Sequence, residues 1–267
     1  MKKEEMNMIL KSFPKGSVIG YSTLSKFILD NFENKTEKNI GFYLFDLANN
    51  NILYQLNNGT YKISSKKSFK VEIPERIISN LLSISLEYPE VEICAWETKI
   101  LNSFMEMQLL RNVIYIEVEK GFEMIVFERL SRNAEYTTLI KPNIEIINDY
   151  NSVENLLVLK TLLYKAPTNK KRFSNRFGYN INYHGNRNSL STPKIEKILV
   201  DIFSDNNLSF IGESEKKNIF ENSLRSYSVN FKTLLSYAKN RNRKKLIEDY
   251  INNIIRFDLN VGEFYDN

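Results

Sequence analysis

Three amphipathic helical stretches follow one another from the N-terminus and lead at once into two short β-rich runs joined by Asn57-Asn58-Gly59. That tripeptide constrains the fold strongly, because Asn and Gly tolerate positive φ and close a tight hairpin. In the first stretch Met6, Ile9, Leu10 and Phe13 recur at helical spacing until Pro14-Lys15-Gly16 stops the helix. Ser22-Thr23 offer a cap for the second, whose apolar face is Leu24, Phe27 and Ile28. Thr36 caps a third helix with Ile40, Tyr43, Leu44 and Leu47 at i, i+3, i+4 and i+7, ended by Asn49-Asn50-Asn51. With β runs at 52–56 and 60–63, residues 1–67 fit a winged helix-turn-helix.

The middle of the chain alternates instead. Helices are expected at 74–86, 98–110 and 122–132, and strands at 91–96, 112–118, 136–140 and 156–163, which argues a compact α/β layer. Residues 166–191 are Asn-rich, basic and aromatic, and read as a long loop or irregular hairpin. Helices resume at 193–204, 214–226, 230–240 and 243–256. The expected fold class is therefore α+β in three parts: the winged helix at 1–67, a small central α/β domain with a basic loop at 68–190, and a C-terminal helical region at 191–267.

Composition removes several function classes. With 42% hydrophobic and 26% charged residues the chain is globular, and its apolar runs end well short of the roughly 18 residues of a membrane span. Met1-Lys2-Lys3-Glu4-Glu5 opens an amphipathic stretch, not an export signal, so the expected compartment is cytoplasmic with no membrane partner. Cys94 is the only cysteine and His184 the only histidine, which leaves no disulfide and no Cys/His zinc site. Neither GxxxxGK[ST] nor GxGxxG occurs, and no cofactor is expected. The one enzymatic suggestion is Glu97-Thr98-Lys99 at a strand end, downstream of Glu90 and Glu92, the arrangement of a divalent-metal nuclease. A short acidic-x-Lys triplet also arises freely in a chain rich in Glu and Lys. The preferred expectation is a protein that is not an enzyme, with no catalytic or metal residues.

Charge is unevenly placed. Residues 71–154 carry seven basic and fifteen acidic side chains, whereas 155–195 carry eight basic and none acidic. An acid-free stretch of that length contacts a polyanion or docks on the acidic middle of the same chain. On the third helix the apolar stripe leaves Lys38, Phe42, Phe45 and Asn49 on the opposite face, with Asn39 and Gly41 beside the first turn. In the major groove Lys38 would meet phosphate or guanine, Asn39 adenine, and Phe42 a thymine methyl. Lys15, Lys26, Lys35, Lys62, Lys66 and Lys67 would supply phosphate contacts around them. The alternative for Phe42 and Phe45 is packing against the middle domain.

Ile40-x3-Leu44-x2-Leu47, then Ile52 and Gly59-Thr60-Tyr61, resembles the N-terminal winged helix of abortive-infection AbiE-type (type IV) antitoxins and related predicted transcriptional regulators. The stretches 95–105 and 116–120 look like that group's middle domain, and 192–203 with 227–231 and 237–239 look like its C-terminal part. The resemblance implies a DNA-binding antitoxin of a phage-defence toxin-antitoxin system that represses its own operon and counteracts a nucleotidyltransferase toxin. Relatives carry basic residues around the hairpin glycine where this chain has Gln55, Asn57 and Asn58. For the toxin or its substrate, the candidate contacts are Arg172, Phe173, Arg176 and Phe177 in the basic loop, and Arg241, Arg243 and Lys244 in a cluster with Lys239 and Lys245. A stand-alone winged-helix regulator is the further alternative.

Overall fold

The computed structural model describes residues 3–33, 35–49, 52–57, 59–64, 66, 68–109, 111–150, 152–170 and 190–257, the side chains of 3, 49, 56, 57 and 254–257 excepted. The chain is a mixed α+β protein of two compact units, one of residues 1–69, 221–232 and 245–267, the other of 70–220 and 233–244. Among the described residues no helix is long and apolar enough to cross a membrane.

The first unit begins α1 (Lys3–Ser12), β1 (Val18–Gly20), α2 (Tyr21–Asn31), a 3-10 turn (Glu37–Asn39), α3 (Ile40–Asn49), β2 (Leu53–Asn57) and β3 (Thr60–Ile63). Its sheet has three antiparallel strands in the order β1-β3-β2, one more than the sequence suggested. Gly59 turns the β2–β3 hairpin at φ +90°, and its carbonyl accepts the Tyr21 N–H at 2.6 Å. That bond explains why α2 needs no Ser or Thr cap: Gly20 holds the cap position and the hairpin takes the first orphan donor. The core is Ile9, Ile19, Leu24, Ile28, Phe32, Ile40, Leu44, Leu47, Leu53 and Ile63. Ser64, Lys66 and Phe69 are tied to the later part of the unit, since Lys66 Nζ donates to the Leu224 carbonyl, Ser64 and Ser228 share a hydrogen bond, and Phe69 meets Tyr227 edge-on at 5.1 Å.

The second unit is built on a six-stranded mixed sheet, β6-β7-β5-β4-β9-β8, formed by β4 (Ile93–Glu97), β5 (Val113–Val118), β6 (Thr137–Ile140), β7 (Leu156–Thr161), β8 (Thr168–Lys170) and β9 (Leu190–Pro193). Strands β5, β6 and β7 are mutually parallel, whereas β4 runs antiparallel to β5. Alternate residues of the central strands fall on opposite faces. Ile93, Ala95, Ile114, Ile116, Leu157 and Leu159 pack under α4 (Glu75–Glu87) and α5 (Glu123–Ser131) through Ile77, Leu81, Val126 and Leu130. The opposite face carries Cys94, Trp96, Tyr115, Glu117 and Lys160, and α7 (Ile195–Ser204) covers it. The remaining helices of the chain are α6 (Ile144–Asp149) in this unit, α8 (Glu213–Ser226) and α9 (Phe231–Asn240), whose residues divide between the two units, and α10 (Lys244–Phe257), which falls in the first unit from residue 245 on.

Two expectations change here. Residues 191–267 are not a separate helical region, because β9 lies between β4 and β8 in the sheet and α7 buries that sheet's second face. The helix expected at 98–110 is only a 3-10 turn, Thr98–Ser103. Side chains take the amides a longer helix would have used: Asn102 Oδ1 accepts the Leu109 N–H at 2.9 Å, and the Glu215 carboxylate accepts those of Glu106 and Met107 at 3.2 and 3.3 Å.

Candidate functional site

Around α3 the sequence expectations divide. Ile40, Leu44 and Leu47 are buried, while Phe42 and Phe45 are 74% and 64% exposed, and Gly41 and Lys38 are exposed beside them. Lys26 is also exposed and Lys62 is half-buried. Lys38 and Asn39 belong to the 3-10 turn that leads into α3, because Asn39 Oδ1 accepts the Thr36 N–H at 2.9 Å. The carbonyl end of Asn39 is thus a structural cap. Asn39→Ala is expected to lower the stability of the first unit by about 1 kcal/mol, read from its urea midpoint; an unchanged midpoint would remove the cap from this account. Lys35 is turned inward as well, with Nζ 3.2 Å from Glu5 Oε1, bonded to the Tyr43 hydroxyl and 3.9 Å from that ring's centroid. Burial opposes its charge, but the bonds to Tyr43 and Glu5 prevail and raise its pKa. Lys66 binds the Leu224 carbonyl. Lys35 and Lys66 therefore brace the unit where phosphate contacts were expected. Lys67, the Asn49 side chain, His184, Arg172, Phe173, Arg176 and Phe177 lie outside the described residues.

The second unit holds a site that no sequence motif announced. Glu117 on β5 lies between Cys94 on β4 and Lys160 on β7 in one row across the sheet. Lys197 of α7, 1% exposed, reaches Glu117 Oε1 at 2.7 Å and Asp201 Oδ2 at 2.6 Å. The other Asp201 oxygen accepts the Tyr237 hydroxyl at 3.0 Å and lies 3.5 Å from Arg241 Nε. Arg241 Nε also donates to Ser204 Oγ at 2.8 Å. Lys160 pairs with Asp205 and sits over the Tyr115 ring at 4.4 Å, and Tyr115 stacks on Trp96 at 5.4 Å. Burial alone would raise the Glu117 pKa, yet Lys197 and Lys160 outweigh it and hold the carboxyl below its usual range. Burial likewise works against the Lys197 charge, and Asp201 and Glu117 reverse it, leaving its pKa well above the ordinary value. Cys94 is buried beside this row, and that burial pushes its thiol up, away from a nucleophile.

Of the expected partner contacts, Arg241 belongs to this network, and Arg243 is exposed but donates from Nε to the Phe203 carbonyl at 3.1 Å. Lys239, Lys244 and Lys245 are exposed. The carboxylates of the nuclease alternative do not converge. Glu92 precedes β4 and accepts Thr168 and Ser191 hydroxyls, whereas Glu97 at its far end accepts Arg76 at 2.9 Å and Asn112 at 2.8 Å. Five residue steps along the strand separate them by about 16 Å. Lys99 is exposed beyond Glu97, and Glu90 is exposed before the strand.

No match was found among curated proteins. Residues 39–256, more than three quarters of the sequence, match the family model described as a family of unknown function, DUF6577, and the chain belongs to that family.

Proposed function

We propose that this chain is a DNA-binding antitoxin that represses its own operon and counteracts a nucleotidyltransferase toxin, with a winged helix-turn-helix at its N-terminus. The observation that carries the DNA reading is the outward face of α3, where two phenylalanines stand exposed beside Lys38 while the opposite stripe is buried. Large exposed rings held side by side on a rigid helix fit a surface that meets a partner. Support also comes from the order α1-β1-α2-α3-β2-β3, in which β1 pairs back on β3 and braces the hairpin. The toxin half rests on the resemblance of 95–105 and 192–203 to AbiE-type antitoxins and on the exposed cations Lys239, Lys244 and Lys245.

The test is titration of the full chain with DNA from upstream of its own reading frame at several salt concentrations. Lys38→Ala is expected to weaken binding across sequences and to reduce the slope of log K against log salt by about one. Equal affinities and slopes for wild type and variant, where the wild type binds, would overturn this assignment. Rescue of cells expressing the adjacent toxin should also be measured with the full chain. Cutting near residue 68 would remove Lys66 and Ser64, the partners of Leu224 and Ser228, and leave those groups open to water.

A further inference from the structure

A cleft of about 330 Å³ opens over the charged network of the second unit. Its position is set by topology. Glu117 near the end of β5, Lys160 and Thr161 at the end of β7, and Lys141 just past β6 all line it, so it lies at the carboxyl ends of three parallel strands. Open α/β sheets bind small ligands outside those ends. Lys141 adopts φ +44°, an uncommon conformation for a side chain without local compensation, and is held there by its N–H to the Leu159 carbonyl at 2.7 Å.

The hydrogen-bonding groups around the cleft are unequal. The carboxylates face inward and are engaged: Glu117 and Asp201 by Lys197, Asp205 by Lys160 and by the Asn207 N–H at 3.0 Å. Their side chains are 2%, 4% and 16% exposed, against 54% for Lys141. Arg241 uses Nε on Ser204, and its two terminal nitrogens take no partner among the described residues. Lys141 Nζ lies 2.8 Å from Glu123 Oε1 and Lys160 Nζ pairs with Asp205, so each ammonium keeps N–H donors beyond the one its carboxylate takes, and with the terminal nitrogens of Arg241 these are the donors left for a ligand. We infer that this cleft binds a small phosphate monoester, its oxygens received by the Arg241 guanidinium, Lys141 and Lys160. A planar guanidinium matches a phosphate's oxygens in a two-pronged contact, and the volume sits at the small end of ligand pockets. Because the surrounding ion pairs balance in charge, affinity comes from directed donors and depends weakly on salt.

The experiment titrates the full chain with ribose 5-phosphate, inorganic phosphate and ribose, read by calorimetry and by phosphorus NMR line broadening. Ribose 5-phosphate and phosphate are expected to saturate one site and ribose to give no signal. Lys141→Gln and Arg241→Lys are each expected to weaken binding about tenfold. Lys141→Gln keeps an amide N–H donor toward Glu123, and Arg241→Lys keeps the charge beside Asp201 while losing the fork, so circular dichroism at neutral pH should remain that of the wild type. Absence of saturable phosphate binding by the wild type, or equal binding by both folded variants, would overturn the assignment. Neither readout involves DNA, so the result stands apart from the proposed reading of α3.

Discussion

Lys197→Met is expected to destabilise the second unit by about 3–5 kcal/mol, seen as a large fall in its urea midpoint. The ammonium is 1% exposed and holds two carboxylates, Glu117 at 2.7 Å and Asp201 at 2.6 Å. Its removal leaves two buried anions facing one another in a medium that screens them poorly. Neutralising them in the same chain, by Glu117→Gln with Asp201→Asn, should recover part of the loss. The pH dependence has a defined sign. Lys197 has a raised folded pKa, so its contribution is complete below the unfolded lysine value and is lost only far into the alkaline range. Glu117 is depressed, and so is Glu123, held at about 2 against the burial that would raise it by Lys141, Thr161 and backbone N–H groups. Their contribution is complete above the unfolded carboxyl value of 4.5 and is lost as pH falls through their depressed folded values, about 2 for Glu123. Acid titration by circular dichroism should therefore unfold the wild type in that window, and Lys197→Met at higher pH. A variant within about 1 kcal/mol of wild type, with an unmoved acid limb, would mean that the network contributes little to folding.

That network was largely illegible in the sequence for a physical reason. Glu117 stands in Ile114-Tyr115-Ile116-Glu117-Val118, where a charge in a buried strand signals a partner, but nothing local says that the partner lies eighty residues on. Lys197 and Asp201 sit four apart on α7, which reads as an ordinary surface pair until the whole helix proves buried. The long helices were legible: the C-terminal spans fell within two residues of α7 to α10, because repeated apolar spacing and caps are local signals. Short elements were not. β1 has one buried residue, Ile19, and is a strand only because β3 pairs with it. α6 has six residues and begins where Asn143 Oδ1 accepts the Ile146 N–H at 2.9 Å, and β8 has three. The buried and exposed stripes of α3 followed directly from the period of 3.6, whereas the inward turn of Lys35 depended on Glu5 and Tyr43, contacts that no spacing encodes.

Replacing both Phe42 and Phe45 by alanine is expected to leave folding nearly unchanged while weakening operator binding roughly thirtyfold, about 2 kcal/mol. The stability half follows from exposure, since side chains 74% and 64% open to water lose little on truncation. α3 keeps its anchors, because Ile40, Leu44 and Leu47 still face the core, and alanine is a better helix former than phenylalanine. The binding half follows from the proposed reading of α3, in which the rings lie against base edges and exclude water there. Apolar contact with thymine methyl groups discriminates between sequences, unlike a phosphate contact. The double variant should therefore lose affinity for the operator more than for unrelated DNA, whereas Lys38→Ala should lower both alike. The measurement is a pair of titrations at one salt concentration, with the urea midpoint as control. If the double variant is markedly destabilised and its DNA affinity per folded molecule is unchanged, the two rings belong to a packing surface and α3 is not the reading head.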